Sequence, residues 1–169
     1  MLPELHLFQV TNNIWIGEFA TEDFRGVCRF FGITHILNVT ELPSRLEMSE
    51  GPLKRIIQVP LRDEEQISTD VAIQCCQTLH EFVCELESSV YIHSESGLNR
   101  SPTIAWLYLV SCGIEFSTAY ELIYAASEDS NPNNSKLISP ALVDRLISYG
   151  RENFIPHPRP NAIEYDGAG

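Results

Sequence analysis

Apolar residues recur along this chain with two periods, and the change from one to the other marks out its elements. Residues 5–17 read as a hairpin: Leu7 to Val10, a turn at Thr11-Asn12-Asn13, then Ile14 to Gly17. Thr21 to Phe31 takes helical spacing and stops at Gly32. His35 to Val39 is a buried strand, residues 41–52 a loop, and Lys54 to Val59 a further strand that Pro60 ends. The clearest helix covers residues 70–87, where Ala72, Cys75, Cys76, Leu79, Phe82, Val83 and Leu86 form one stripe behind a cap at Ser68 or Thr69. Val90-Tyr91-Ile92 is apolar throughout, as a strand covered on both faces must be. Ser101 then caps a helix that has Pro102 at its first position and Gly113 at its end. Ile104, Ala105, Trp106, Leu107, Leu109 and Val110 make that helix apolar on most sides, so it belongs at the centre. Thr118-x-x-Glu121 has the form of a capping box, and Ser139-Pro140 opens a last helix that runs to about Gly150. Pro156, Pro158 and Pro160 mark an irregular tail. Strands alternating with helices before a helical second half predict an α/β domain, its central mostly parallel sheet flanked by helices. The expected division is a single domain over residues 1–152 and a tail over residues 153–169.

The candidate chemistry lies between the apolar strand and the apolar helix, in His93-Ser94-Glu95-Ser96-Gly97-Leu98-Asn99-Arg100-Ser101. A short polar turn that leads from a strand into a helix can aim backbone N–H groups at one point, and the helix dipole adds partial positive charge there. Gly97 permits the tight turn. Arg100 adds a planar fork that matches two phosphate oxygens. The segment is an expected nest for a tetrahedral dianion, phosphate or sulfate included.

Composition narrows the partners. The net charge of −12 over 169 residues disfavours nucleic acid and anionic membranes, which need a basic surface. A phosphorylated ligand remains compatible, because a local positive focus is enough. No apolar run approaches the roughly 20 residues of a membrane span, and residues 1–6 lack the pattern of a signal peptide. Cys28, Cys75, Cys76, Cys84 and Cys112 are odd in number, contain no Cys-x-x-Cys pair and fall in or beside helical patterns, which predicts free thiols in a reducing, cytoplasmic setting. The histidines have no metal-ligand spacing. No metal or organic cofactor is expected, and the expected state is a monomer.

The loop resembles the signature His-Cys-x-x-Gly-x-x-Arg-Ser of the cysteine-dependent protein tyrosine phosphatases, with Ser94 where that family has its nucleophilic cysteine. The layout over residues 7–151 is similar to the compact dual-specificity phosphatases, including Ile14-Trp15-Ile16-Gly17 and Gly32 to Thr40. By this resemblance Ser94 stands at the nucleophile position and residues 94–100 bind phosphate. Arg100 holds two phosphate oxygens, and Ser101 stabilises the leaving nucleophile. Asp63, in Val59-Pro60-Leu61-Arg62-Asp63-Glu64-Glu65, is the candidate general acid, with Glu64 next. His93 is expected as a core histidine bonded to the loop backbone, and Glu95 as an outward side chain. Asn131-Pro132-Asn133-Asn134 resembles a family loop near the site or is a simple turn.

The family activity is hydrolysis of phosphotyrosine and phosphoserine/threonine in proteins through a phosphocysteine. Serine at that position predicts an inactive, substrate-trapping form, whether by an introduced Cys→Ser change or by natural loss in a pseudophosphatase that binds phosphoproteins. Gly97-Leu98-Asn99-Arg100 is also similar to the RNA 5′-triphosphatase branch. The absence of Lys and Arg at positions 95, 96, 98 and 99 favours phosphoprotein over phosphoinositide.

Overall fold

Alternate residues of each central strand go to opposite faces of one sheet, and that alternation builds two cores. The structure is a computed structural model that describes residues 7–21, 24–48 and 51–155. Its strands are β1 (Leu7–Gln9), β2 (Ile14–Gly17), β3 (His35–Asn38), β4 (Arg55–Gln58) and β5 (Val90–His93), in the order β1-β2-β5-β3-β4. β1 pairs antiparallel to β2, and every other pairing is parallel. β5 is central, with Ile92 in register with Ile16 on one side and Leu37 on the other.

On one face Ile14, Ile16, Leu37, Val90 and Ile92 join the larger core. It is covered by α2 (Thr69–Cys84), α3 (Arg100–Ser111), α4 (Phe116–Ala126) and α5 (Pro140–Asn153). On the other face Ile36 and Tyr91 pack with Phe24, Val27 and Cys28 of α1 (Phe24–Phe31). Every residue of α3 is buried, which is what its apolar circumference requires. The chain therefore leaves the carboxyl end of the central strand, turns, and re-enters the core as a buried helix. That turn is where parallel sheets present ligand sites.

Several boundaries differ from the sequence reading. α2 ends at Cys84, with Glu85 in an extended C-cap, so Leu86 leaves the apolar stripe and is 79% exposed. Glu87 takes φ of 57°, which explains why the helix cannot continue through it. Thr118 and Glu121 form no capping box. α4 starts two residues earlier at Phe116, which places both inside the helix behind an N-cap at Glu115 that makes no side-chain bond. At α5 the expectation stands, with Ser139 Oγ accepting from the Leu142 amide and Pro140 in the first turn. That helix runs on to Asn153, and the expected boundary at residue 152 lies two residues short of Phe154, which is buried in the larger core. The start of the expected hairpin at Leu5 and His6, and the tail from Pro156, lie outside the described residues.

Candidate active site

The loop from Ser94 to Asn99 closes around a single oxygen. Ser94 Oγ accepts from the backbone N–H of Gly97 at 3.2 Å and of Ser101 at 3.4 Å, and lies 3.1 Å from Ser101 Oγ. Ser94 is 1% exposed. Amides from both ends of the turn thus converge on the first loop side chain, at the N-terminus of α3. Gly97 makes this closure sterically feasible. Its φ is +75°, and a Cβ there would lie 2.5 Å from the carbonyl carbon of Gly17. The loop is also pinned from outside. Ser94 N–H donates to the Gly17 carbonyl and Phe19 N–H to the Glu95 carbonyl, so the end of β2 serves as one wall.

Ser101 does not cap α3. The helix already begins at Arg100, and its N-cap Asn99 makes no side-chain cap bond; the Ser101 amide in the first turn goes to Ser94 Oγ instead. The Ser101 hydroxyl points back to Ser94 Oγ and the Gly17 carbonyl. Asn99 is itself engaged, its Oδ1 accepting from Asn134 Nδ2. Amides at a helix start that no N-cap side chain covers are what an anion site needs.

Arg100 is 5% exposed and reaches in two directions. Nη1 donates to the Leu61 carbonyl at 3.0 Å, and Nη2 lies 3.5 Å from Glu95 Oε2. The first bond joins the nest to the loop that carries Asp63, two residues beyond Leu61. Asp63 is exposed, and its Oδ1 accepts from the Glu64 amide. Its neighbours are paired outward, Glu64 with Lys136 at 3.2 Å and Glu65 with Arg62 at 3.7 Å. Gln66 then ties this segment across to the carbonyls of Ser135 and Lys136. The α4–α5 connection reaches the nest as well, through Asn131 N–H to the Leu98 carbonyl and Asn134 to Asn99. Asn131 to Asn134 is therefore a wall of the site rather than a remote turn.

His93 departs from expectation. Neither ring nitrogen has a hydrogen-bond partner among the described residues; the ring sits edge-on to Phe19 and stacked beside Tyr91. Burial without a compensating bond disfavours the charged form, and the imidazole pKa is pushed down to about 3. Ser94 Oγ thus has no histidine base beside it. Glu95 is exposed, as expected, yet its carboxylate turns toward Arg100 instead of solvent alone. The carbonyls of Gly17 and Leu61 were not legible in the sequence, since any residue type could supply them. Among the described residues, no His, Cys, Asp or Glu group could hold a metal ion.

The family model for the dual specificity phosphatase catalytic domain matches residues 14–139. The chain belongs to this family. Solved phosphatase structures share its fold. Human DUSP28 is 18% identical with a TM-score of 0.69, over 86% of this chain and 97% of that one. The human tyrosine phosphatase-like serine/threonine/tyrosine-interacting protein is 16% identical with a TM-score of 0.68, over 86% and 96%. A Cys→Ser variant of TpbA from P. aeruginosa, in complex with pTyr, is 17% identical with a TM-score of 0.68, over 88% and 92%. No curated protein matched at the level of sequence. The dual-specificity phosphatase fold thus holds here, with Ser94 Oγ at the centre of the strand-to-helix loop.

Proposed function

We propose that this dual-specificity phosphatase domain captures phosphotyrosine and phosphoserine/threonine of protein partners in the nest at residues 94–100 and does not turn them over. The observation that carries the reading is the environment of Ser94 Oγ, a hydroxyl that receives two amides and has no base beside it. The family reaction needs an ionised nucleophile that attacks phosphorus and is then displaced by water. A helix N-terminus can lower a cysteine thiol to roughly 3.5–7.5, because the thiol starts near 8.5. An alcohol starts many units higher, and the same two amides cannot ionise it. His93, its pKa pushed down to about 3, is too weak a base and makes no bond to Ser94 Oγ, and Glu95 is paired with Arg100.

Loss of the nucleophile leaves the cradle in place, and an uncharged hydroxyl repels a phosphate dianion less than a thiolate would. The TpbA neighbour with a Cys→Ser change in complex with pTyr is consistent with capture by such a site. In this reading the protein acts as a monomer in the cytoplasm, away from nucleic acid and membranes. The charge of −12 supports the separation from nucleic acid and anionic membranes.

The test combines binding with turnover. Titration with a phosphotyrosine peptide is expected to show saturable binding that Arg100→Ala abolishes. Release of para-nitrophenol from para-nitrophenyl phosphate should stay at background for the native chain and rise at least ~100-fold in Ser94→Cys. Turnover by the native chain equal to that of Ser94→Cys, or no binding at all, would overturn the proposal.

A further inference from the structure

We infer that Glu95 is a specificity-determining carboxylate that pairs with Arg100 and tempers the charge the nest accepts. This deepens the proposed function and rests on it. Arg100 is the buried cation of the nest, and its Nη2 faces Glu95 Oε2 at 3.5 Å. Glu95 follows Ser94 directly, its backbone carbonyl fixed by the Phe19 N–H, so its side chain rises from the rim of the cradle itself. The side chain is 59% exposed and can swing away, whereas Arg100 is held by the Leu61 carbonyl and cannot follow it.

Two consequences follow from Coulomb's law. An arriving oxyanion must displace the Glu95 carboxylate from Nη2. Once bound, it remains within a few ångströms of that carboxylate, and a dianion is repelled about twice as strongly as a monoanion in the same place. With the guanidinium partly neutralised and no Lys or Arg at positions 95, 96, 98 or 99, the nest holds its ligand through one tempered cation and neutral amides. Such a site suits a phosphate recognised together with the protein that carries it and disfavours clustered phosphates.

The experiment titrates the native chain, Glu95→Gln and Glu95→Asp with one peptide bearing either phosphotyrosine, a dianion at about pH 7.5, or sulfotyrosine, a monoanion of the same shape. Glu95→Gln should bind the phosphopeptide roughly three- to tenfold more tightly and the sulfopeptide by a smaller factor, roughly two- to threefold. Both gains should shrink in ~1 M salt. Glu95→Asp, which keeps the charge, should stay close to the native values. A side chain that merely held Arg100 in position would give the opposite sign, with weaker binding of both ligands in Glu95→Gln. That result, unchanged affinities, or equal gains for the two peptides would overturn the inference and leave the phosphate nest standing. No binding of either peptide by any of the three proteins would remove the nest and the inference together.

Discussion

Ser94 differs by one atom from the cysteine of the signature that its loop resembles, and in the proposed function that atom separates capture from turnover. The residues whose roles depend on local chain geometry were legible in advance. Ser94, Gly97 and Arg100 lie within seven positions, and a strand-to-helix turn leaves little freedom in how they face one another. Residues that meet across the fold were less legible. His93 was expected to bond the loop backbone, but neither ring nitrogen has a partner among the described residues, and the imidazole packs against Phe19 and Tyr91 instead. Asp63 is an intermediate case, because its loop is joined to the nest by Arg100 and Leu61 while its side chain stays in solvent. A carboxylic acid on that rim can protonate a leaving phenolate only if turnover exists to report it. In a Ser94→Cys background, Asp63→Asn should therefore cut kcat by roughly two to four decades on an aryl phosphate, with the larger loss on poorer leaving groups. A rate within about twofold of Ser94→Cys would move the role elsewhere, Glu64 being the next acid in the chain.

At the scale of elements, apolar spacing and cap signals located the five helices of the described residues, and errors gathered at helix ends. The stripe of α2 extended on paper to Leu86, but Glu85 and Glu87 leave helical backbone, and a stripe cannot register where hydrogen bonding stops. Ser101 and Thr118 were read as caps from residue type alone. Both lie inside helices that begin earlier: the amide and hydroxyl of Ser101 both turn to Ser94 Oγ, and Phe116 at the start of α4 packs with Trp106 at 5.4 Å. Gly150 shows what the pattern could not reveal. It lies inside α5, where glycine costs helix stability, and a Cβ there would fall 1.8 Å from the Ser111 carbonyl oxygen of α3. Glycine at this crossing lets the α5 and α3 backbones touch, and α3 is the helix whose N-terminus forms the nest. Gly150→Ala must push α5 off α3, and the expected destabilisation is about 1–3 kcal/mol despite the better helix propensity of alanine. A melting temperature at or above that of the native protein would show that the two helices separate without cost. Phosphopeptide affinity measured well below the transition would report whether the displacement reaches the nest.

Over the whole molecule, the two-sided sheet explains where the stability and its pH dependence reside. The α/β class followed from the alternation of elements, whereas the strand order, with β5 inserted between β2 and β3, depends on which apolar strand can be covered on both faces. Val90 and Ile92 serve one core and Tyr91 the other, so His93 at the end of the same strand is carried into the interior with them. A second imidazole, His35, is buried at the start of β3. Burial lowers its pKa, while the Glu85 carboxylate 2.7 Å from Nε2 opposes that shift. An unfolded chain protonates such groups near pH 6.5, and folded His93 resists until about 3. Between those values the unfolded state binds more protons, so stability is full above pH 6.5 and is lost as pH falls, by about 1.4 kcal/mol per pH unit for one fully excluded proton. His93→Phe keeps a ring against Phe19 and Tyr91 and removes the proton site. Urea unfolding at pH 7, 6, 5 and 4 should then show a shallower loss of stability in the variant, by about 1 kcal/mol per pH unit between pH 6 and 5. Parallel curves for the two proteins would mean that His93 is protonated in the folded state as readily as in the unfolded one, and with that would go the argument that the imidazole next to Ser94 is held neutral by burial. A shallower slope in the variant would tie the acid sensitivity of the fold to the same strand end that presents the nest.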